Sequence, residues 1–429
     1  MTTTVDTLRF TTAGSVDDGK STLIGRLLYD TKSILEDQLL SIEKTTARRG
    51  VGGKLGVDLS LLTDGLSAER EQGITIDVAY RYFATLKRRF IIADTPGHEQ
   101  YTRNMVTGAS TADLSLILVD ASKGLQTQSR RHAIIASLLG IPHVVVVVNK
   151  IDLVNHSQDV FDSIRKDFIA FARTLNFAKV DFIPASALEG DMVVDRGERL
   201  NWYQGPTLLG LLETTKAAES AAGDFRFPVQ LVARSKFGAK SEFRGYMGRI
   251  ESGRVSVGDR IAVLPSGLEA TVQDIVTLDG SLKTASAPQS VTLLLDTQID
   301  VSRGDLFAHV EDLPMVTNQI TANLSWMSSQ PLDSSRRYLI KHPTQTVRVV
   351  LEGIDYRLDV NSLECETGVS TFKLNDIGRV RLKTLRPLMV DAYVGKCGAN
   401  RATGSFILID EITNQTVAAG MILGEVGND

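Results

Sequence analysis

The chain has 429 residues, 43% hydrophobic and 23% charged, with a formal net charge of −4 and a pI near 6.0. That length exceeds a single hydrophobic core and predicts two or three domains, while the charge balance excludes an overall basic footprint for nucleic acid. No apolar run reaches the ~18 residues of a membrane span, and the N-terminus lacks the basic and apolar regions of a signal peptide. Cys365 and Cys397 are far apart and in no paired motif, so free thiols in a reducing cytoplasm are expected. The six histidines form no ligand-spaced cluster, which argues against zinc.

Leu8 to Ala13 reads as a strand and Thr22 to Tyr29 as a helix. Between them lies Gly14-Ser15-Val16-Asp17-Asp18-Gly19-Lys20-Ser21, which fits G-x-x-x-x-G-K-[ST], followed by Thr22. Glycines let successive N–H groups face one anion, and the helix start adds unpaired donors. Lys20 then neutralises the outer phosphates of a nucleotide, and the Ser21 hydroxyl holds Mg²⁺. Asp17 and Asp18 are unusual here, because two carboxylates beside a phosphate repel it. At least one is expected to bond to backbone or a cation instead.

A polar helical stretch follows from Thr31 to Arg48, broken at Gly50-Val51-Gly52-Gly53. Next comes Gly73-Ile74-Thr75-Ile76, where Thr75 is read as a switch residue bringing its hydroxyl to Mg²⁺ and its N–H to the γ-phosphate. Arg89 to Ala93 is a buried strand ending in Asp94-Thr95-Pro96-Gly97-His98. Asp94 is placed to hold Mg²⁺ through water, Gly97 to turn its N–H towards the γ-phosphate, and His98 to orient the attacking water. Two continuous apolar runs, Leu114 to Asp120 and His143 to Val148, read as buried parallel strands.

The second run ends in Asn149-Lys150-Ile151-Asp152, or N-K-x-D. The Asp152 carboxylate can accept from both N1 and N2 of guanine, whereas adenine leaves it unpaired at a cost of several kcal/mol. Asn149 braces the loop and the Lys150 stem stacks on the base. Asp181 to Pro184 is a last short strand leading to Ser186-Ala187-Leu188, whose backbone N–H groups face guanine O6. Five segments in this order describe a guanine-nucleotide switch on an α/β domain.

These motifs resemble the translational-type GTPases. Finer details resemble one branch, the large GTP-hydrolysing subunit of bacterial two-subunit sulfate adenylyltransferase. They include Ser15 and Asp18 in the phosphate loop, Ala68 to Phe83, Trp202 to Leu209, Asn400 to Asp410 and Thr416 to Ile422. The resemblance implies an α/β P-loop GTPase domain followed by two β-barrels, with boundaries expected at 1–215, 226–312 and 316–429. It implies GTP and Mg²⁺ as ligands, a cytoplasmic location, and a small catalytic subunit as partner in a heterodimer or higher assembly. That partner would form adenylyl sulfate while this chain hydrolyses GTP. Neither nucleic acid nor membrane is expected as a partner. The alternative is an elongation-factor-like GTPase acting on tRNA or ribosomes.

From Phe227 onward, short β segments divided by glycine turns suggest barrels independently of the resemblance. His309 and His342 are isolated, and a structural role is expected for each.

Overall fold

A computed structural model describes residues 6–34, 37, 39, 42, 46, 57–62, 77–98, 101–217, 223–235, 243–343, 345–360, 362–394 and 399–425. One compact unit is Met1–Ala218, and a second runs from Glu219 to Asp429 apart from Val360–Ser362.

The first unit alternates strands and helices: β1 (Thr7–Ala13), α1 (Lys20–Asp30), β2 (Ala79–Ala84), β3 (Arg89–Asp94), α2 (Thr102–Ala109), β4 (Leu114–Asp120), α3 (Thr127–Leu138), β5 (His143–Asn149), α4 (Gln158–Ala172), β6 (Lys179–Pro184) and α5 (Leu208–Thr214). The strands form one sheet in the order β2-β3-β1-β4-β5-β6. Only β2 runs antiparallel to its neighbour; the other pairs are parallel. β4 and β5 are buried along their whole length. That follows from continuous apolar runs covered on both faces, where branched valines suit the extended backbone. Parallel strands put the C-terminal ends of β1, β3, β4, β5 and β6 on one side, where this architecture binds its ligands. Arg88, buried in the turn between β2 and β3, donates Nη1 to the carbonyls of Leu212 (3.2 Å) and Thr215, tying down the end of α5.

The second unit is all β. Its first part contains β7 (Phe227–Ser235), β8 (Phe243–Arg249), β9 (Arg254–Ser256), β10 (Arg260–Leu264), β11 (Leu268–Thr277), β12 (Gly280–Leu282), β13 (Thr284–Ser286), β14 (Ser290–Leu295) and β15 (Leu306–His309). Strands β10-β15-β7-β8-β14-β11 follow one another and the β10–β11 pairing closes the ring, so no barrel edge is left open. The second part contains β16 (Met315–Trp326), β17 (Tyr338–Lys341), β18 (Thr346–Leu358), β19 (Cys365–Glu366), β20 (Ile377–Val390), β21 (Ser405–Asp410) and β22 (Thr416–Glu425). It closes as β17-β21-β22-β16-β20-β18 through the β17–β18 pairing.

The two-residue period is plain in β20. Val380, Leu382 and Thr384 point inward and are buried, while Arg381, Lys383 and Leu385 face outward. Each barrel has its own core, around Phe227, Tyr246 and Phe307 in one and Trp326, Phe372 and Leu382 in the other. Between them Arg226 grips Asp391 with Nε to Oδ2 at 2.9 Å and Nη2 to Oδ1 at 2.9 Å, both side chains buried. His342 donates Nε2 to the Thr403 carbonyl at 2.7 Å, and the His309 ring lies 3.3 Å from Asp259, which are structural placements as expected. Cys365 is an exposed free thiol; Cys397 lies outside the described residues.

Candidate active site

The loop Gly14–Ser21 lies between β1 and α1, and three of its residues need backbone angles that side chains disfavour. Gly14 has φ +153°, Asp17 +69° and Gly19 +92°. At Gly19 the space is also taken: a Cβ there would lie 2.4 Å from Asn149 Nδ2. Lys20 opens α1 and is buried. Its Nζ donates to the carbonyls of Gly14 and Ser15, each at 2.8 Å, which holds the ammonium inside the loop it must serve. Burial pushes the Lys20 ammonium below its ordinary pKa, with Asp94, Asp18 and Asp17 opposing.

Asp18 turns inward. It is 1% exposed, and Oδ2 accepts the Ser15 N–H at 2.7 Å. Burial pushes its carboxyl up, opposed by that N–H and by Lys20. Asp18 is thus bonded to backbone, while Asp17 lines the open cleft.

That cleft has a volume of about 370 Å³, and Asp17, Lys20, Ser21, His98 and Lys150 are among the residues lining it. Val16, Gly19, Thr22 and Gly97 complete the share foreseen from sequence, and Ser60 joins them from the turn Leu59–Leu62. Ser60 was not foreseen; no motif marks it. Asp94 ends β3 buried, its Oδ1 accepting from the Thr12 hydroxyl at 3.2 Å. Gly97 packs so tightly on the phosphate loop that a Cβ would meet Lys20 Nζ at 2.4 Å and Gly14 O at 2.6 Å. His98 is half-buried, its ring centroid 6.1 Å from that of Tyr101. Thr75 and the rest of 68–76 lie outside the described residues, as does most of 31–48 and all of 50–53.

Beside the phosphate loop, a second cluster is built around Asn149. Its Nδ2 donates to the Asp18 carbonyl at 2.7 Å, and its Oδ1 accepts the Ala187 N–H at 3.0 Å. One buried amide therefore fixes the phosphate loop to the 186–188 turn. Lys150, with φ +59°, reaches Asp120 Oδ2 at 2.9 Å. Asp152 Oδ1 is buried with no hydrogen-bond partner among the described residues. An orphaned carboxylate oxygen is costly to bury, by about 1–3 kcal/mol or more. A ligand presenting N–H donors would remove that cost, and guanine carries two such donors, at N1 and N2. Ser186 is fully buried, Ala187 nearly so, and Leu188 half-exposed.

Among the described residues no group of three or more His, Cys, Asp or Glu could hold a metal ion alone. One carboxylate and one hydroxyl beside a phosphate cradle, as in Asp94 and Ser21, instead suit Mg²⁺ arriving with a nucleotide. No described helix is long and apolar enough to cross a membrane.

The elongation factor Tu GTP binding domain family matches residues 6–231. The GTP-eEF1A C-terminal domain-like family matches residues 319–423. Sulfate adenylyltransferase subunit 1 of Alteromonas mediterranea is 51% identical over 425 residues, covering 99% of this chain and 88% of that protein. The Teredinibacter turnerae protein of the same name is 52% identical, covering 97% and 87%. The bifunctional enzyme CysN/CysC of Mycobacterium tuberculosis is 52% identical, covering 98% of this chain and 67% of that one. The crystal structure of Sup35 complexed with GMPPNP matches 98% of this chain and 95% of that one, at 21% identity and a TM-score of 0.44.

Proposed function

The chain belongs to the sulfate adenylyltransferase subunit 1 family, with an elongation-factor-type GTPase domain, and from that premise we propose how its site works. It is a GTP-binding, GTP-hydrolysing subunit of sulfate adenylyltransferase. The observation that carries this reading is the pairing of near-full-length identity with an orphaned Asp152 oxygen two residues beyond Lys150, which lines the phosphate-loop cleft. The translation-factor alternative is not favoured.

GTP lies with its phosphates against Gly14–Thr22 and its base between Asn149, Lys150, Asp152 and Ser186–Leu188. Lys20 meets the negative charge that develops on the outer phosphates. Asp152 accepts from N1 and N2, and burial makes that pairing selective. Mg²⁺, held by Ser21, Asp94 and Thr75, would offset charge on the transferring phosphoryl oxygens. His98 orients the attacking water, and the Gly97 N–H contacts the γ-phosphate only while that group is present. Its loss on hydrolysis relaxes the segment, which makes the chain a two-state element. We infer domain limits of 1–215, 226–312 and 316–429, and the cytoplasm as the compartment.

The partner is a small subunit that joins ATP and sulfate into adenylyl sulfate and pyrophosphate. That reaction is strongly uphill, so it gains from coupling to GTP hydrolysis. Coupling requires the partner to bind the two switch states unequally, since equal affinity shifts nothing. GTP hydrolysis by the isolated chain is therefore expected to be slow, and faster in the complex turning over ATP and sulfate. Equal rates in the two settings refute the coupling; stimulation by ribosomes instead supports the alternative.

A further inference from the structure

Arg26 is a buried cation that the sequence motifs do not mention. It lies on α1, six residues beyond Lys20, and is 5% exposed. Its Nε donates to the Ala187 carbonyl at 3.1 Å and its Nη2 to the Leu188 carbonyl. Nη1 lies 3.6 Å from Asp30, one turn further along the same helix. The turn bends around the guanidinium at Gly190, whose φ is +91° and where a Cβ would lie 3.4 Å from Nη1. A planar guanidinium with five fixed donors can hold two successive carbonyls at once; an ammonium cannot do so in the same geometry.

The grip has a directional consequence. The Ala187 carbonyl and the Leu188 N–H belong to one planar trans peptide, so they point in opposite directions. Holding the carbonyl on α1 aims the N–H away from α1. The other N–H groups of the turn are already engaged. Ala187 donates to Asn149 Oδ1, Glu189 to Ser186 Oγ and Gly190 to the Ser186 carbonyl. The Leu188 N–H has no hydrogen-bond partner among the described residues. It is the unspent donor of a turn that Asn149 ties to the base-reading end. Guanine presents an acceptor, O6, where adenine presents an amino donor.

We propose that Arg26 is a positioning residue for guanine recognition: from the helix that begins at the phosphate loop, it fixes the 187–188 peptide so that the Leu188 N–H meets O6. Phosphate binding and base reading are then set by one rigid helix, because six residues of α-helix hold a fixed spacing of roughly 9 Å. This rests on the GTP reading above and adds a residue to it.

The test is equilibrium binding of the full chain to GTP, to 6-thio-GTP, whose sulfur is a poor acceptor at position 6, and to ITP, which lacks the 2-amino group that Asp152 reads. The unsubstituted chain prefers GTP over both analogues. In Arg26→Ala, GTP affinity falls about tenfold while 6-thio-GTP affinity falls only about twofold, so the preference for O6 narrows. The GTP-to-ITP ratio holds, because Asp152 is untouched. A general loosening of the fold would lower all three together, and that result, or no loss at all, overturns the proposal. If Arg26→Ala does not fold, Arg26→Lys keeps the charge beside Asp30 and loses the fork. It should show the same narrowing at smaller size, and an unchanged ratio overturns the proposal. Failure of the unsubstituted chain to bind any of the three would instead overturn the GTP reading itself, and this proposal with it.

Discussion

On the proposed reading, one oxygen of Asp152 carries selectivity. Its Oδ1 is buried and unpartnered among the described residues, so a base that brings N–H donors to it relieves a desolvation cost. Asp152→Asn replaces one acceptor with a donor. GTP affinity is expected to fall by roughly a hundredfold, the size of a lost charge-assisted pair, and the GTP-over-XTP preference to invert. Competition binding with the two nucleotides reads this; an unchanged preference refutes the role. His98 is a separate matter, since it lines the cleft beside Gly97 without reading the base. His98→Ala should leave GTP binding within about twofold and slow single-turnover hydrolysis by about 10²-fold or more, the usual scale for a positioned proton-transfer or water-orienting group. Normal turnover in that variant contradicts its assignment.

At the scale of elements, the motifs were legible because their chemistry demands fixed local spacing. The phosphate loop must sit between a strand and a helix, and β1 and α1 flank it. N-K-x-D must end a buried strand, and β5 ends at Asn149. Arg26 was not legible, because its partners lie 161 and 162 residues away and nothing in Gly25-Arg26-Leu27 points to them. Ser60 is not legible either, because it sits in no motif and reaches the cleft only through the folding of the turn Leu59–Leu62. Short β segments between glycine turns indicated barrels, but their closure depends on the pairings β10–β11 and β17–β18, each set by a register that such spacing does not specify.

Buried histidines on these elements also carry titrations. His342 follows β17, buried against the Thr403 carbonyl, and burial lowers its pKa from 6.5 to about 4. Above pH 6.5 the ring is neutral folded or unfolded. As pH falls from 6.5 towards 4, the unfolded chain takes up a proton that the folded barrel refuses, and stability drops by roughly 3 kcal/mol in total. His132, lowered to about 3 by burial, adds to the loss with the same sign. Denaturant midpoints at pH 7.5 and pH 4.5 should differ less in His342→Gln than in the parent. Equal differences would mean that the ring does not titrate as described.

For the whole molecule, the α/β unit holds the nucleotide machinery and the barrels hold no comparable cluster among their described residues. Arg226 and Asp391 nonetheless join the two barrels through a buried, doubly bonded pair, and Arg226 also donates to the Asp312 carbonyl at 2.7 Å. Breaking a buried pair leaves a charge uncompensated, typically costing about 3–5 kcal/mol. The barrels therefore resist bending at that point, and a partner seated on them would meet a stiff surface. On the proposed reading, this chain hydrolyses GTP to drive adenylyl transfer in a partner. The most direct measurement is pyrophosphate release from ATP and sulfate by the chain reconstituted with its small subunit, with and without GTP. Release should rise with GTP and fall back in His98→Ala. Release indifferent to GTP, with GTP still bound, would contradict that reading.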